Sequence, residues 1–341
     1  MSKKDLLAKI LLKSRLIILI RIFRALFPKP LIILAYHRIY DMKDEINFPF
    51  DPELVSATPE DFKLQIQHLS KYFNPITFED LIDYHNGNRK LPKDPVIITF
   101  DDGHTDNYTN AYPILKDLKT SATIFVSSDY LDSDETFWFD QVAYLIYKSE
   151  KNNLSLNNND FSINFNETVK SKRYATETTL RYLMTLENSL RLSCLDELKN
   201  QLGVTISTTD QHKSSALSTD QVIEMSKNNI EFGSHTASHP ILSKLTATEL
   251  EYELKQSKAD IERITNKPVN TIAYPVGGTS EFNQNVIKKC KEIGYQYGIS
   301  YVSGIERLPI TSPYKIKRLH VERYTNMDYF KAMLVIPEIF K

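Results

Sequence analysis

Residues 96–103 read VIITFDDG: five apolar or β-branched residues in a row, then two carboxylates and a glycine. A run that is apolar on both alternating faces suits a parallel strand covered on both sides. Its abrupt polar end presents Asp101 and Asp102 at the C-terminal edge of that strand. Working outward, similar short runs recur at 31–36 (LIILAY), 122–126 (ATIFV), 230–233 (IEFG), 271–274 (TIAY), 296–300 (QYGIS) and 315–321. Helical patterns occupy 60–72, 106–119, 219–228, 247–265 and 280–293, with Ser/Thr/Asp start signals before some of them. Alternating β and α over this length gives an α/β fold, a barrel or a doubly wound sheet. Seven strands in this order favour the barrel.

Composition narrows the function classes. The 42 basic and 43 acidic residues of the 341 balance, so no global field draws the chain to nucleic acid. Two cysteines, Cys194 and Cys290, make no disulfide framework and fit a reducing compartment. Only nine glycines are present, and Gly103, Gly233, Gly277 and Gly278 all lie at strand ends. Sparse glycines mark places where the backbone needs a left-handed turn or a close approach.

The neutral total hides an uneven distribution. Residues 1–30 hold eight basic side chains against Asp5 alone, interleaved with Leu, Ile and Phe. The longest uncharged apolar run there, 16–20, is far short of the roughly 20 residues that span a bilayer. Arg21 and Arg24 interrupt what would be a signal-peptide core. The segment reads as a basic apolar helix, ended by Pro28 and Pro30, that lies on an anionic membrane surface. The plainer reading packs it on the domain or on a partner.

Residues 128–217 break the β/α rhythm. An Asn-rich hairpin signal at 153–166 precedes a long helical pattern at 168–202. The expected organisation is therefore a helix at 1–30, a barrel from 31–127 and 218–341, and an inserted, mainly helical subdomain at 128–217. The insertion serves either as a lid over the site or as a buttress. Trp138, at its start, suits either stacking on a sugar ring or burial.

The polar residues at strand ends carry the chemistry. TFDDG (99–103) brings the paired carboxylates, SHTASHP (234–240) brings His235 and His239 four apart, and AYPVGG (273–278) ends a third strand. In barrels, polar groups gathered at C-terminal strand ends form the active site. One Asp and two His supply three ligands to a divalent metal and leave positions open for water and substrate. The second Asp is then free to act as general base on the water.

These motifs resemble those of the polysaccharide deacetylase family, carbohydrate esterase family 4, with its NodB homology domain. The resemblance spreads over about 31–325, outside the insertion, and implies a distorted (β/α)7 barrel that hydrolyses acetamido groups on sugars. By it, Asp101 matches the general base, Asp102, His235 and His239 the metal triad, and Val276 the backbone N–H that holds the oxyanion. The family's usual third motif has an Arg beside the base where this chain has Ala273, and AYPVGG is closer to the FAYPYG variant of exopolysaccharide and lipid-linked sugar deacetylases. Arg318 is the candidate for that missing charge. His320, in a partial Leu-x-x-His match, and His37, after the first strand as in the circularly permuted relatives, are candidate general acids, with His37 preferred. His104, Tyr274, Pro275 and Arg318 are expected to contact substrate, His104 at the mouth.

The expected function is metal-dependent N-deacetylation of an acetamido sugar in polysaccharide or glycolipid assembly. Zinc is the expected metal, with cobalt, nickel or manganese as alternatives. The expected partners are an acetylated amino-sugar polymer or a lipid-linked sugar and an anionic membrane surface, with the protein peripheral on the cytoplasmic face of the inner membrane. A deformylase or another C–N hydrolase is the rival within the enzyme class, and a catalytically silent carbohydrate-binding module the rival outside it.

Overall fold

The computed structural model describes residues 3–24, 30–43 and 47–340. Seven parallel strands close into a barrel: β1 Ile32–Tyr36, β2 Pro95–Phe100, β3 Ala122–Val126, β4 Ile230–Ser234, β5 Thr271–Ala273, β6 Tyr297–Ser303 and β7 Ile316–His320. They run β1-β7-β6-β5-β4-β3-β2 in space. Closure comes from β2 returning to β1, in register from Ile32 opposite Val96 to Tyr36 opposite Phe100. The short strand Asn74–Ile76 pairs with the lower half of β2, along the edge that β3 takes higher up. Each barrel strand falls on one of the seven runs marked by sequence, so the fold is the expected α/β barrel.

Side chains of a strand alternate between its two faces. Ile33, Ile97, Phe125, Ala273, Ile299 and Ile316 meet in one buried cluster inside the barrel. Ile32, Leu34, Val96, Ile98, Ile124 and Ile230 belong to the larger core beneath the surrounding helices. Followed upward, the inward register runs Ile33-Ala35-His37, Ile97-Thr99-Asp101, Glu231-Gly233-His235 and Ile316-Arg318-His320. The chemistry-bearing residues are thus the top inward layer of the barrel. The helix Phe78–His85 adds Phe78, Leu81 and Ile82 to the inner cluster.

Residues 128–217 form a helix Trp138–Lys148, an antiparallel hairpin Asn153–Leu156 with Phe161–Asn164, and helices Val169–Thr185 and Asn188–Leu202. Asn157, Asn158 and Asn159 all take left-handed φ in the hairpin turn, the conformation that Asn tolerates best after Gly. The single long helical pattern is broken because Leu186 and Glu187 are extended. Most of a separate apolar cluster lies here, including Phe137, Val142, Leu156, Leu183 and Leu198.

The N-terminal segment forms two helices instead of one: Lys3–Lys13 and Leu16–Arg24, divided where Arg15 turns left-handed. Ala8 and Leu11 are buried in the main core, and Leu12, Ile17 and Ile20 pack against it. Arg21 donates to the carbonyl of Tyr72, and Arg24 pairs with Glu338. Pro28 lies outside the described residues, whereas Pro30 precedes β1. No helix among the described residues is long and apolar enough to cross a membrane.

Gly233 shows why an inward position on β4 needs glycine. A Cβ there would stand 2.5 Å from the Phe125 ring and 2.7 Å from Thr271 Oγ1. Gly233→Ala is therefore expected to cost about 1–3 kcal/mol. The check is a lower urea midpoint with unchanged slope; an unchanged midpoint would contradict the packing argument.

Candidate active site

The loops after β2, β4 and β5 turn by a shared device. Asp102 and Gly103, Thr236 and His239, and Val276 and Gly277 all have φ between 57° and 83°. For a β-branched residue such as Val276 that conformation is a true outlier, and strain of this kind costs about 1–3 kcal/mol. Neighbouring contacts hold it: Gly277 N–H donates to Pro275 O at 2.6 Å, and Tyr301 N–H donates to Gly277 O at 2.7 Å. A Cβ on Gly277 would lie 2.7 Å from Tyr301 N, so the close approach also requires glycine. Glu253 clamps the loop after β4, accepting from Ala237 N–H, Ser238 N–H and the Ser238 hydroxyl at 2.8, 2.9 and 2.6 Å.

These turns bring Asp102, His235 and His239 together, their ligand atoms all within 4.8 Å of one another. Asp102 Oδ1 is 3.4 Å from His235 Nε2 and 3.3 Å from His239 Nε2. His235 Nδ1 lies 2.8 Å from Ala273 O. A carbonyl can only accept, so Nδ1 carries the proton and Nε2 keeps its lone pair for a ligand. The donor set is one carboxylate and two imidazoles in a buried pocket, which fits a divalent cation with open positions. The set suits zinc and also cobalt, nickel or manganese.

A second layer stands behind these ligands. Trp138 Nε1–H donates to His239 O at 2.9 Å, and the Phe139 ring meets His239 edge-on at 5.0 Å. His104 Nδ1 is 3.8 Å from Asp102 Oδ2, and its Nε2 is 3.2 Å from Asp140 Oδ2. Asp140 also accepts from the Ser214 hydroxyl. Asp102, His104 and Asp140 are all buried. His104 thus stands between the metal-ligand candidate and the first helix of the insertion, within hydrogen-bond distance of Asp140 and just beyond it from Asp102, whose Oδ2 has no hydrogen-bond partner among the described residues.

Asp101 points to the other side. Arg318 reaches it with two bonds, Nη1 to Oδ1 at 2.7 Å and Nη2 to Oδ2 at 2.6 Å, and also bonds Thr99 Oγ1 and Ser300 O. Burial by itself would raise the Asp101 pKa, but the Arg318 charge and hydrogen bonds outweigh it and hold the carboxyl below its ordinary value. His37 Nε2 stands 4.0 Å from Asp101 Oδ2. Burial lowers the His37 pKa against the opposing pull of Asp102 and Asp101.

A cavity of ≈ 400 Å³ opens over this constellation, lined among others by His37, Asp101, Trp138, Phe139, Val276 and Tyr301. Val276 N–H has no hydrogen-bond partner among the described residues. His320 lies off the cavity: its ring stacks on Tyr301 at 3.8 Å, and burial and the Arg318 charge push its pKa down to about 4.

Several expected substrate contacts are placed elsewhere. His104 is fully buried behind Asp102 and does not line the mouth. Tyr274 turns outward into the core, where its hydroxyl donates to Tyr314 O, and Pro275 is buried beside it. Arg318 is fully buried and committed to Asp101. The cavity also has walls that sequence reasoning missed: Asp51, Glu53 and Leu54 before the helix Pro59–Tyr72, and Leu180 and Met184 from the insertion. Leu180 and Met184 are spaced i, i+4 on a helix and look like ordinary core. Tyr301 was findable, because it continues the inward register of Tyr297 and Ile299.

Comparison with known proteins bears on the family and on the fold. Residues 88–181 and 192–298 match the family model described as polysaccharide deacetylase. YxkH of Bacillus subtilis, assigned to the polysaccharide deacetylases, is 24% identical over 217 residues, 64% of this chain and 48% of YxkH. The chain thus spans about half the length of that relative. The poly-β-1,6-N-acetyl-D-glucosamine N-deacetylase of Staphylococcus aureus is 25% identical over 51% of this chain and 71% of its own. The structure of the Streptococcus pyogenes deacetylase PplD, solved with acetate, superimposes with a TM-score of 0.57 at 19% identity, covering 88% of this chain and 96% of that one. That likeness speaks to the fold.

If His104 orients Asp102 as a metal ligand, His104→Ala should weaken zinc binding about 10–100-fold. Competition against a chromophoric chelator reads this directly. Unchanged affinity in a folded variant would remove His104 from the metal centre.

Proposed function

This chain belongs to the polysaccharide deacetylase family, and from that premise we propose that it removes N-acetyl groups from an amino-sugar polymer or lipid-linked sugar. The observation that carries the reading is the pairing of Asp101 with Arg318 beside the Asp102–His235–His239 donor set, under one cavity. A base kept ionised, next to a place for a divalent cation, is what amide hydrolysis requires. A cation held by the three ligands would supply Lewis-acid polarisation of the acyl oxygen and lower the pKa of water. Asp101 takes a proton from water as the water oxygen bonds to the acyl carbon. The Val276 N–H faces the developing oxyanion. His37, 4.0 Å from Asp101, passes the proton that Asp101 took on to the amine nitrogen as the C–N bond breaks, leaving acetate and a free amino sugar. His320, half-buried, stacked on Tyr301 and off the cavity, is the weaker candidate for the acid. Poly-β-1,6-N-acetylglucosamine is the first substrate to try, since a relative is named for it.

The N-terminal helices support a site of action at an anionic membrane surface on the cytoplasmic side. Leu6, Leu7, Ile10, Leu16, Ile18, Leu19, Ile22 and Phe23 are exposed by 38–63%, among Lys3, Lys4, Lys9, Lys13 and Arg15. Exposed apolar side chains interleaved with cations suit the headgroup boundary of anionic lipid. Both cysteines are free thiols, in keeping with a reducing compartment.

Two measurements test these readings. Zinc-loaded protein should release acetate from oligomers of β-1,6-linked N-acetylglucosamine, and Asp101→Asn should slow this by about 10²–10⁴-fold. Release of formate alone from formylated sugars would make it a deformylase, and sugar binding without any release would make it a binding module. Separately, the protein should co-sediment with phosphatidylglycerol vesicles and much less with phosphatidylcholine ones. Leu19→Glu with Ile22→Glu should abolish the binding at unchanged melting temperature. Loss of a dimer in place of vesicle binding would assign the face to a second copy.

A further inference from the structure

His37 is the one residue between β1 and the short strand Arg38–Ile39. In the proposed reaction it delivers the proton to the leaving amine, so its place relative to Asp101 matters. Yet its side chain is loosely held. Nε2 is 4.0 Å from Asp101 Oδ2, and the ring meets Tyr301 edge-on at 5.3 Å. Neither contact is a hydrogen bond, so the backbone that carries the ring has to set its position.

That backbone is gripped from both edges. On one edge, His37 N–H donates to the Ser56 hydroxyl at 2.9 Å, within the strand Val55–Ala57 that pairs with Arg38–Ile39. On the other, three side chains of a single turn reach it. Asn107 Nδ2 donates to His37 O and Asn110 Nδ2 to Ile39 O, both at 2.8 Å. Asp106 accepts from Ile39 N–H at 2.9 Å and from Arg38 Nε at 2.8 Å. Asp106, Asn107 and Arg38 are buried, so these polar groups left water for bonds to this segment. The turn itself is unusual: Asn107–Ala111 is one turn of π-helix, with Tyr112 N–H donating to Asn107 O. Such wide turns are rare and occur frequently at functional sites. Joining the strands does not call for this grip, because β1 and β2 already pair in register from Ile32 to Tyr36. It acts only beyond Tyr36, on 37–39.

We propose that Asp106, Asn107 and Asn110 are positioning residues for His37: the wide turn that follows the paired carboxylates fixes the backbone of 37–39, and with it the reach of the imidazole from Asp101 to the leaving nitrogen. This rests on the deacetylase reading and deepens it. The base and the proton donor are then set by one stretch of chain, since Asp101 begins the loop and Asn107 opens the turn that holds His37.

A choice of leaving group tests this. An amine has to be protonated to leave, whereas 4-nitrophenolate leaves as the anion, so a displaced His37 should harm amide hydrolysis and spare an aryl ester. In the zinc-loaded full chain, Asn107→Ala should lower kcat for acetate release from β-1,6-linked N-acetylglucosamine oligomers about 10–100-fold. Hydrolysis of 4-nitrophenyl acetate should slow by less than about threefold, at unchanged zinc affinity. Asn110→Ala, at a half-buried position, should show a smaller loss with the same split, and decides the matter if Asn107→Ala does not fold. Equal losses on both substrates would make the turn a structural brace and overturn the proposal, as would full amide activity in the folded variants. A second readout needs no turnover. In histidine- and tyrosine-labelled protein, the nuclear Overhauser contact between the His37 and Tyr301 rings should weaken in the variants, and an unchanged contact would overturn the positioning role. Wild-type protein that hydrolyses neither substrate, while the ring contact responds to the substitutions, removes the deacetylase reading alone.

Discussion

The Arg318–Asp101 pair is the constraint from which the site follows. Two buried ions attract strongly, yet taking both from water is costly, and the arrangement holds only because every contact is good. The guanidinium meets the carboxylate fork to fork, and its remaining bonds go to Thr99 Oγ1 and Ser300 O. Because β1 lies between β7 and β2, this pair crosses the barrel interior above the layer of Ile33, Ile97, Ile299 and Ile316. It therefore fixes the rim of the barrel and the charge of Asp101 at once.

With Asp101 held inward, Asp102 has to turn away to reach the histidines, and its left-handed φ of 71° does so. The same conformation at Thr236, His239 and Val276 bends the other two loops over the cavity. Much of this strain falls on residues that carry a Cβ, while the glycines beside them remove clashes. Packing from elsewhere holds it, through Glu253 under the histidine loop and Tyr301 against Gly277. Strain concentrated at one rim of an otherwise regular barrel is the usual mark of a functional site.

The insertion is joined to this rim at several points. Trp138 holds the carbonyl of His239, Asp140 holds His104 behind Asp102, and Leu180 and Met184 wall the cavity. The N-terminal helices differ in kind: one face is buried against the main core, and the other leaves large apolar side chains in solvent.

Some of this was legible in the sequence, because local rules govern it. Strand alternation and the abrupt polar ends of apolar runs located all seven barrel strands, and the motifs drew attention to Asp101, Asp102, His235 and His239. The near-neutral charge and the +7 N-terminus were also there to read. What a side chain faces, however, depends on neighbours distant in sequence. Arg318 and Asp101 are 217 residues apart, and only barrel closure brings them together. His104 looked like a mouth residue because it follows the carboxylates, but the left-handed turn at Asp102–Gly103 carries it behind them. Tyr274 faces outward because the pleat of β5 puts Ala273 inside. The apolar spacing of Leu180 and Met184 means core or cavity wall equally well until the helix is packed, since burial is a property of the assembled molecule and not of any one segment.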